Sequence, residues 1–135
     1  MTKILVVDTS SVTRAMLKMT LEQLKDVQVD TAAQVDEAQA LCRRRPYHLL
    51  ILEYLVDNHT AIELLESLEK EHLQTDIPIF ILSSEKDLTY KKQAREHHVS
   101  AWIKKPFQPK SLLNLVQTTL HPISDEASPD EVPTP

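Results

Sequence analysis

Two hydrophobic periodicities alternate along the chain. Lys3-Ile-Leu-Val-Val-Asp8 is a short apolar run that ends in an acid, the pattern of a strand buried on both faces. Thr9, Ser10 and Ser11 then offer N-caps for a helix reaching about Leu24. Its apolar positions recur at helical spacing, with Val12, Met16 and either Met19 or Leu17 expected inward together with Leu21 and Leu24. Val27 to Thr31 predicts a strand of mixed character, suited to a place near a sheet edge. Val35 to Arg44 predicts a helix that stops before Pro46. His48-Leu-Leu-Ile-Leu-Glu53 then repeats the first pattern, a buried run closed by an acid.

The second half continues in the same way. Asn58-His59-Thr60 leads into a helix from Ala61 to Glu71, with Ile62, Leu64, Leu65 and Leu68 inward. Ile77 to Leu82 predicts a strand whose Pro78 sits near its start, where a missing N–H is tolerated. Ser83 or Ser84 caps a polar helix from about Glu85 to His97, and Ala101-Trp-Ile103 is a short last strand. A final helix runs from Pro109, well placed in a first turn, to Leu120. Five such β-α units with short connections imply parallel strands joined by right-handed crossovers, an α/β fold. Residues 1–121 are expected to form one domain. Residues 122–135, rich in proline and acids, cannot build a core and are expected to be a disordered tail or linker.

Composition refines this picture in three places. The net charge of -5 lies mostly in that tail, whose four acids are accompanied by no Lys or Arg, so no basic surplus points to nucleic acid. The local run Arg43-Arg44-Arg45 reads as a helix C-terminus, where cations complement the dipole. A lone cysteine, Cys42, and the lack of any signal peptide or long apolar stretch predict a cytoplasmic protein without a membrane span. There is no glycine at all, so tight backbone positions fall to residues such as Asn58 or His98. The adjacent His97 and His98 are read that way. With His59, His72 and His121 they show no metal-ligand spacing.

In an open parallel sheet, chemistry gathers at the carboxyl ends of the strands. Those ends present Asp8, Glu53, Ser83 and Lys105: two acids, a hydroxyl and an ammonium. From the residues alone, a functional crevice and a structural ion pair are equally good readings.

The motifs break the tie. ILVVD followed by a helix carrying Arg14, then LLILE, IFILSS and WIKKPF, resemble the receiver domains of two-component response regulators over residues 3 to about 120. The resemblance implies a flavodoxin-like (βα)5 fold, a doubly wound five-stranded parallel sheet of order 2-1-3-4-5. It implies a role in phosphorelay signal transduction rather than an enzyme. Carried over, Asp8 is the first acid of the phosphorylation pocket, Ser83 its hydroxyl, Lys105 its ammonium and Trp102 the aromatic switch. The partner face implied is the one built by the fourth helix, the fifth strand and the last helix, including Tyr90, Lys91, Trp102 and Lys110. Its partner would be another signalling protein, a second copy or a histidine kinase.

Two positions depart from the family's pattern. Thr9 stands where the second acid is expected, and Glu53 where the phosphoacceptor Asp is expected. Magnesium demands clustered oxygen ligands in near-octahedral geometry, so the loss of a carboxylate at Thr9 leaves no resident cofactor, or Mg²⁺ only weakly through Asp8 and Glu53. Glutamate's extra methylene moves its carboxylate about 1.5 Å further into the pocket. In-line transfer would slow by about a hundredfold from a shift of that size. Lys105 and Ser83 are the expected partners of Glu53. The expectation is therefore an atypical receiver acting through protein–protein contact. The alternatives are a conventional phosphoacceptor with weakened Mg²⁺ binding and, more remotely, a flavodoxin-like enzyme, for which no glycine-rich phosphate loop exists.

Overall fold

The computed structural model describes residues 1–84, 92, 95 and 97–121. The elements are β1 (Thr2–Val7), α1 (Ser11–Leu21), β2 (Val27–Ala32), α2 (Val35–Arg44), β3 (Leu49–Glu53), β4 (Leu55–Val56), β5 (His59–Thr60), α3 (Ala61–Lys70), β6 (Ile79–Ser83), β7 (Ala101–Lys104) and α4 (Pro109–Leu120). Most of the helix expected over 85–97 lies outside the described residues, as does the expected tail.

Five strands form one parallel sheet in the order β2-β1-β3-β6-β7, while β4 and β5 make a separate antiparallel hairpin. Counting only the main sheet, this is the expected order 2-1-3-4-5. The three central strands β1, β3 and β6 are the three continuous apolar runs, and β2, the mixed one, lies at an edge. Alternate side chains feed two separate cores, as a pleated strand requires. Leu5, Val7, Leu50, Leu52 and Ile81 pack under α2 and α3 with Ala38, Cys42 and Leu65. Ile4, Val6, Leu49, Ile51 and Phe80 pack against α1 and α4 with Leu17, Leu21, Leu112 and Val116.

Local chemistry sets the helix ends. Ser10 caps α1 by accepting a bond from the Thr13 amide. Thr60 and Glu63 form a reciprocal capping box at the start of α3, and Pro109 opens α4. The three-arginine run does close α2: Arg43 and Arg44 lie in its last turn, and Arg43 makes a two-pronged pair with Glu71 at 2.8 Å on each prong. Gln74 fastens the same end. Its side chain donates to the carbonyls of Cys42 and Arg45 at 3.1 and 2.8 Å and accepts from the Tyr47 amide at 2.8 Å.

Four expectations are corrected. Val12, Met16 and Met19 do not face the core; Leu17, Thr20 and Leu21 do, and α1 ends at Leu21 rather than Leu24. Both stripes have helical spacing, so periodicity could not choose between them. The left-handed position after β3 belongs to Asp57 (φ 55°), not Asn58, because Asp57 is the first residue of the β4–β5 turn. His98 (φ 62°) does take such a position, but His97 does not. Its ring meets Glu69 at 2.9 Å and Glu66 at 3.7 Å on α3. Asp26, His72, Gln74 and Asp76 fill further left-handed positions, where short polar side chains are tolerated best.

Candidate functional site

The sheet delivers its polar residues to one edge. Asp8 follows β1 and is held by its amide bonding the Ala32 carbonyl at 3.0 Å. Glu53 ends β3 and Ser83 ends β6, with Glu53 in register with Leu82 and Ser83 with Lys104. Lys105 follows β7, its amide donating to the Ser83 carbonyl at 3.0 Å, and the Lys105–Pro106 peptide is cis. All four strand-end residues singled out from the sequence therefore lie along the carboxyl edge of the sheet.

Three of them are in direct contact. The Lys105 ammonium stands between two carboxylates, 2.9 Å from Asp8 Oδ2 and 3.0 Å from Glu53 Oε2. The other Glu53 oxygen, Oε1, accepts from the Thr9 hydroxyl at 2.7 Å and from the Thr9 amide at 3.1 Å. Asp8 Oδ1 accepts from the Ser10 amide at 2.9 Å. Arg14 reaches back from α1 and donates to the backbone carbonyls of Asp8 and Thr9 at 2.8 and 3.0 Å, which fixes the β1–α1 loop. Asp8 is 1% exposed, and its Oδ2 has Lys105 beside it but no donor aimed along a hydrogen-bond direction.

This asymmetry sets the charges. Burial raises the Asp8 pKa, with the Glu53 charge adding to it, against the pull of Lys105 and the Ser10 amide. Burial pushes Glu53 in the same direction, yet its pKa lies below the usual value because the Thr9 hydroxyl, Lys105 and the Thr9 amide all favour the carboxylate. Burial would lower the Lys105 pKa, but the two carboxylates outweigh it and raise it.

Thr9 is the residue whose part the sequence understated. The sequence offers it as a helix cap and as a missing charge, whereas in the structure its hydroxyl and amide position Glu53. A hydroxyl adjacent to the pocket acid was the available signal. Beside the cluster, Tyr54 follows Glu53 into the core and its ring meets Trp102 at 5.5 Å between centroids, tilted by 42°. Trp102 is half-buried on β7 and Lys110 is exposed on α4; Tyr90 and Lys91 lie outside the described residues. Among the described residues no group of three or more His, Cys, Asp or Glu side chains is arranged to hold a metal ion. No helix among them is long and apolar enough to cross a membrane.

Known proteins resemble this chain in sequence and in fold. The chain is 29% identical over 131 residues to the phosphate regulon transcriptional regulatory protein PhoB of Pseudomonas aeruginosa, covering 96% of this chain and 57% of that protein. It is 29% identical over 119 residues to the transcriptional regulatory protein ResD of Bacillus subtilis, covering 88% and 48% respectively. The chain thus spans about half the length of these relatives. Among solved structures, the chemotaxis protein CheY4 of Vibrio cholerae superposes with a TM-score of 0.82 at 28% identity, covering 89% of this chain and 99% of that one. A CheY-like receiver domain protein from Methanospirillum hungatei superposes at 0.83 with 22% identity, over 93% and 98%, a likeness of fold alone. The family model of the response regulator receiver domain matches residues 4–117, and this chain belongs to that family.

Proposed function

We propose that this chain is an atypical receiver of two-component signalling, one that acts through protein–protein contact without being phosphorylated. The observation that supports this most directly is the engagement of Glu53. One of its oxygens is held by Thr9 and the other by Lys105, so the side chain at the acceptor position is already bonded on both sides. A phosphoryl group would have to displace one of these partners and accept a longer, displaced nucleophile.

The pocket suits a divalent cation poorly. Mg²⁺ needs several hard oxygen ligands around one point. Here two carboxylates share an ammonium between them, and the side chain that would supply a third ligand is the neutral hydroxyl of Thr9. The arrangement is satisfied by a fixed internal cation instead. Glu53 then stands in part for an acyl phosphate's negative charge, with Lys105 as its counter-ion. The readout would pass through Tyr54 and Trp102 to the face that carries Lys110, where another signalling protein or a second copy would bind.

The test is exposure to a small phosphodonor such as acetyl phosphate with Mg²⁺, followed by intact mass. The natural chain is expected to keep its mass, and the double variant Thr9→Asp, Glu53→Asp to gain a labile phosphoryl adduct. An acid-labile adduct on the natural chain would overturn the reading and return the domain to the conventional class, a phosphoacceptor served by a histidine kinase.

A further inference from the structure

The end of α3 builds a hollow beside the sheet. His72 (φ 57°) closes the helix in a Schellman turn, in which the next amide, that of Leu73, donates to the Leu68 carbonyl at 2.9 Å. The turn folds Leu73 back along the helix. With Leu50, Leu65, Leu68, Ile77 and Ile79 it lines a cavity of about 350 Å³. That volume lies at the small end of ligand pockets, which are mostly apolar with a few placed polar groups. Leu50 and Ile79 are register partners at the amino ends of β3 and β6, so the cavity lies at the opposite edge of the sheet from Glu53 and Lys105.

Its rim is acidic. Glu69 and Asp76 line it together with His97 and His98, and among the described residues no Lys or Arg does. Glu69 has one oxygen, Oε2, taken by His97 Nδ1 at 2.9 Å, and its side chain is half exposed. Asp76 is exposed, and its carboxylate has no hydrogen bond or ion pair among the described residues. Its backbone is left-handed (φ 62°), a costly conformation for a residue with a Cβ. The neighbouring left-handed residues have local duties: His72 ends α3, and Gln74 (φ 55°) carries the amide that fastens α2. Asp76 has neither duty. Backbone outliers of this kind gather at ligand sites.

We propose that this cavity binds a small apolar molecule carrying an ammonium group, its body on the leucine and isoleucine floor and its charge against Asp76 and Glu69. The rim selects the sign. An anionic ligand would meet acids of its own charge, and so would residues 122–135, whose four acids are accompanied by no Lys or Arg. The volume sets the size, an indole or phenyl ring with a short chain. The site lies away from the acid pocket, so it stands whether or not Glu53 accepts a phosphoryl group.

A methyl-detected NMR titration of the full chain tests this with tryptamine as the probe, tryptophol as its uncharged counterpart and indole-3-acetate as an anionic one. Tryptamine is expected to shift the methyls of Leu68, Leu73, Ile77 and Ile79 in a saturable way, with a Kd of about 0.1–1 mM for a ligand of its size. Tryptophol should bind about three- to fivefold more weakly, the worth of one exposed ion pair, and indole-3-acetate more weakly still. Asp76→Asn keeps a side chain suited to the left-handed backbone and should bring tryptamine down to the affinity of tryptophol. Leu73→Trp fills the hollow from its half-buried wall and should abolish binding, with the methyls of Ile4 and Leu112 in the other core unmoved as the check on folding. Tryptamine that gives no saturable shift at the lining methyls up to about 10 mM overturns the proposal, as do shifts that map elsewhere. Indole-3-acetate that binds as tightly as tryptamine, or tryptamine binding that Asp76→Asn leaves unchanged, overturns it equally.

Discussion

Replacing Lys105 with methionine would keep most of its aliphatic stem and remove the charge that two carboxylates share. Asp8 is 1% exposed, so its charge cannot turn to water once the ammonium, 2.9 Å away, is gone. Removing one partner of a fully buried ion pair costs about 3–5 kcal/mol. Lys105 and Glu53 keep 22 and 21% of their side-chain surface, which lowers the expectation to about 2–3 kcal/mol. The sign with pH follows from Asp8, a carboxylate whose pKa is already raised. Without Lys105 that pKa rises further. An acid with a raised folded-state pKa opposes folding once the pH exceeds its unfolded value, and protonation relieves it. The variant should therefore lose most at pH 8 and progressively less as the pH falls towards 5. Urea unfolding followed through the single tryptophan, Trp102, measures this directly, and a loss of that size lowers the midpoint by roughly 1 M. Adding Asp8→Asn should recover much of the loss. A deficit below about 1 kcal/mol at pH 8, or one equal at pH 5 and 8, would refute the view of Lys105 as the cluster's internal counter-ion.

Three further outcomes follow from the same structure. Phe80→Ala empties the centre of the core beneath α1 and α4 and should cost about 3–5 kcal/mol in chemical denaturation, with the secondary structure retained. Thr60→Ala removes one half of the capping box and should cost about 1 kcal/mol, with faster hydrogen exchange confined to the first turn of α3. His98→Gly relieves a left-handed backbone (φ 62°) but widens the unfolded ensemble, so its thermal midpoint should hold or rise slightly; a clear fall would show that the side chain itself is needed.

The parts of the fold legible in the sequence are those governed by one dominant force. β1, β3 and β6 are buried on both faces, so their apolar runs admit no other reading, and the acids that end two of them mark the functional edge. Where two patterns compete, the chain alone is silent. Ser11–Leu21 carries two helical stripes of similar hydrophobicity, and only the position of the sheet decides that Leu17 rather than Met16 turns inward. The β4–β5 hairpin contains four paired residues, too few for alternation to register, and it moved the left-handed turn residue from Asn58 to Asp57. At the site, the contact of Lys105 with Glu53 follows from opposite charge on the same edge of the sheet, reached by a long side chain across the end of β6, which lies between β3 and β7. The grip of Thr9 on Glu53 depends on the loop path that Arg14 enforces, a tertiary fact.

The knot tied by Gln74 has a mechanical consequence. One amide side chain joins the end of α2, the approach to β3 and the segment leading to β6, all at the margin of the sheet remote from Glu53. Clamped there, the layer of α2 and its neighbours cannot slide as a block along the strands. A displacement started at the acid-bearing margin would then become a tilt, with the seam as its pivot.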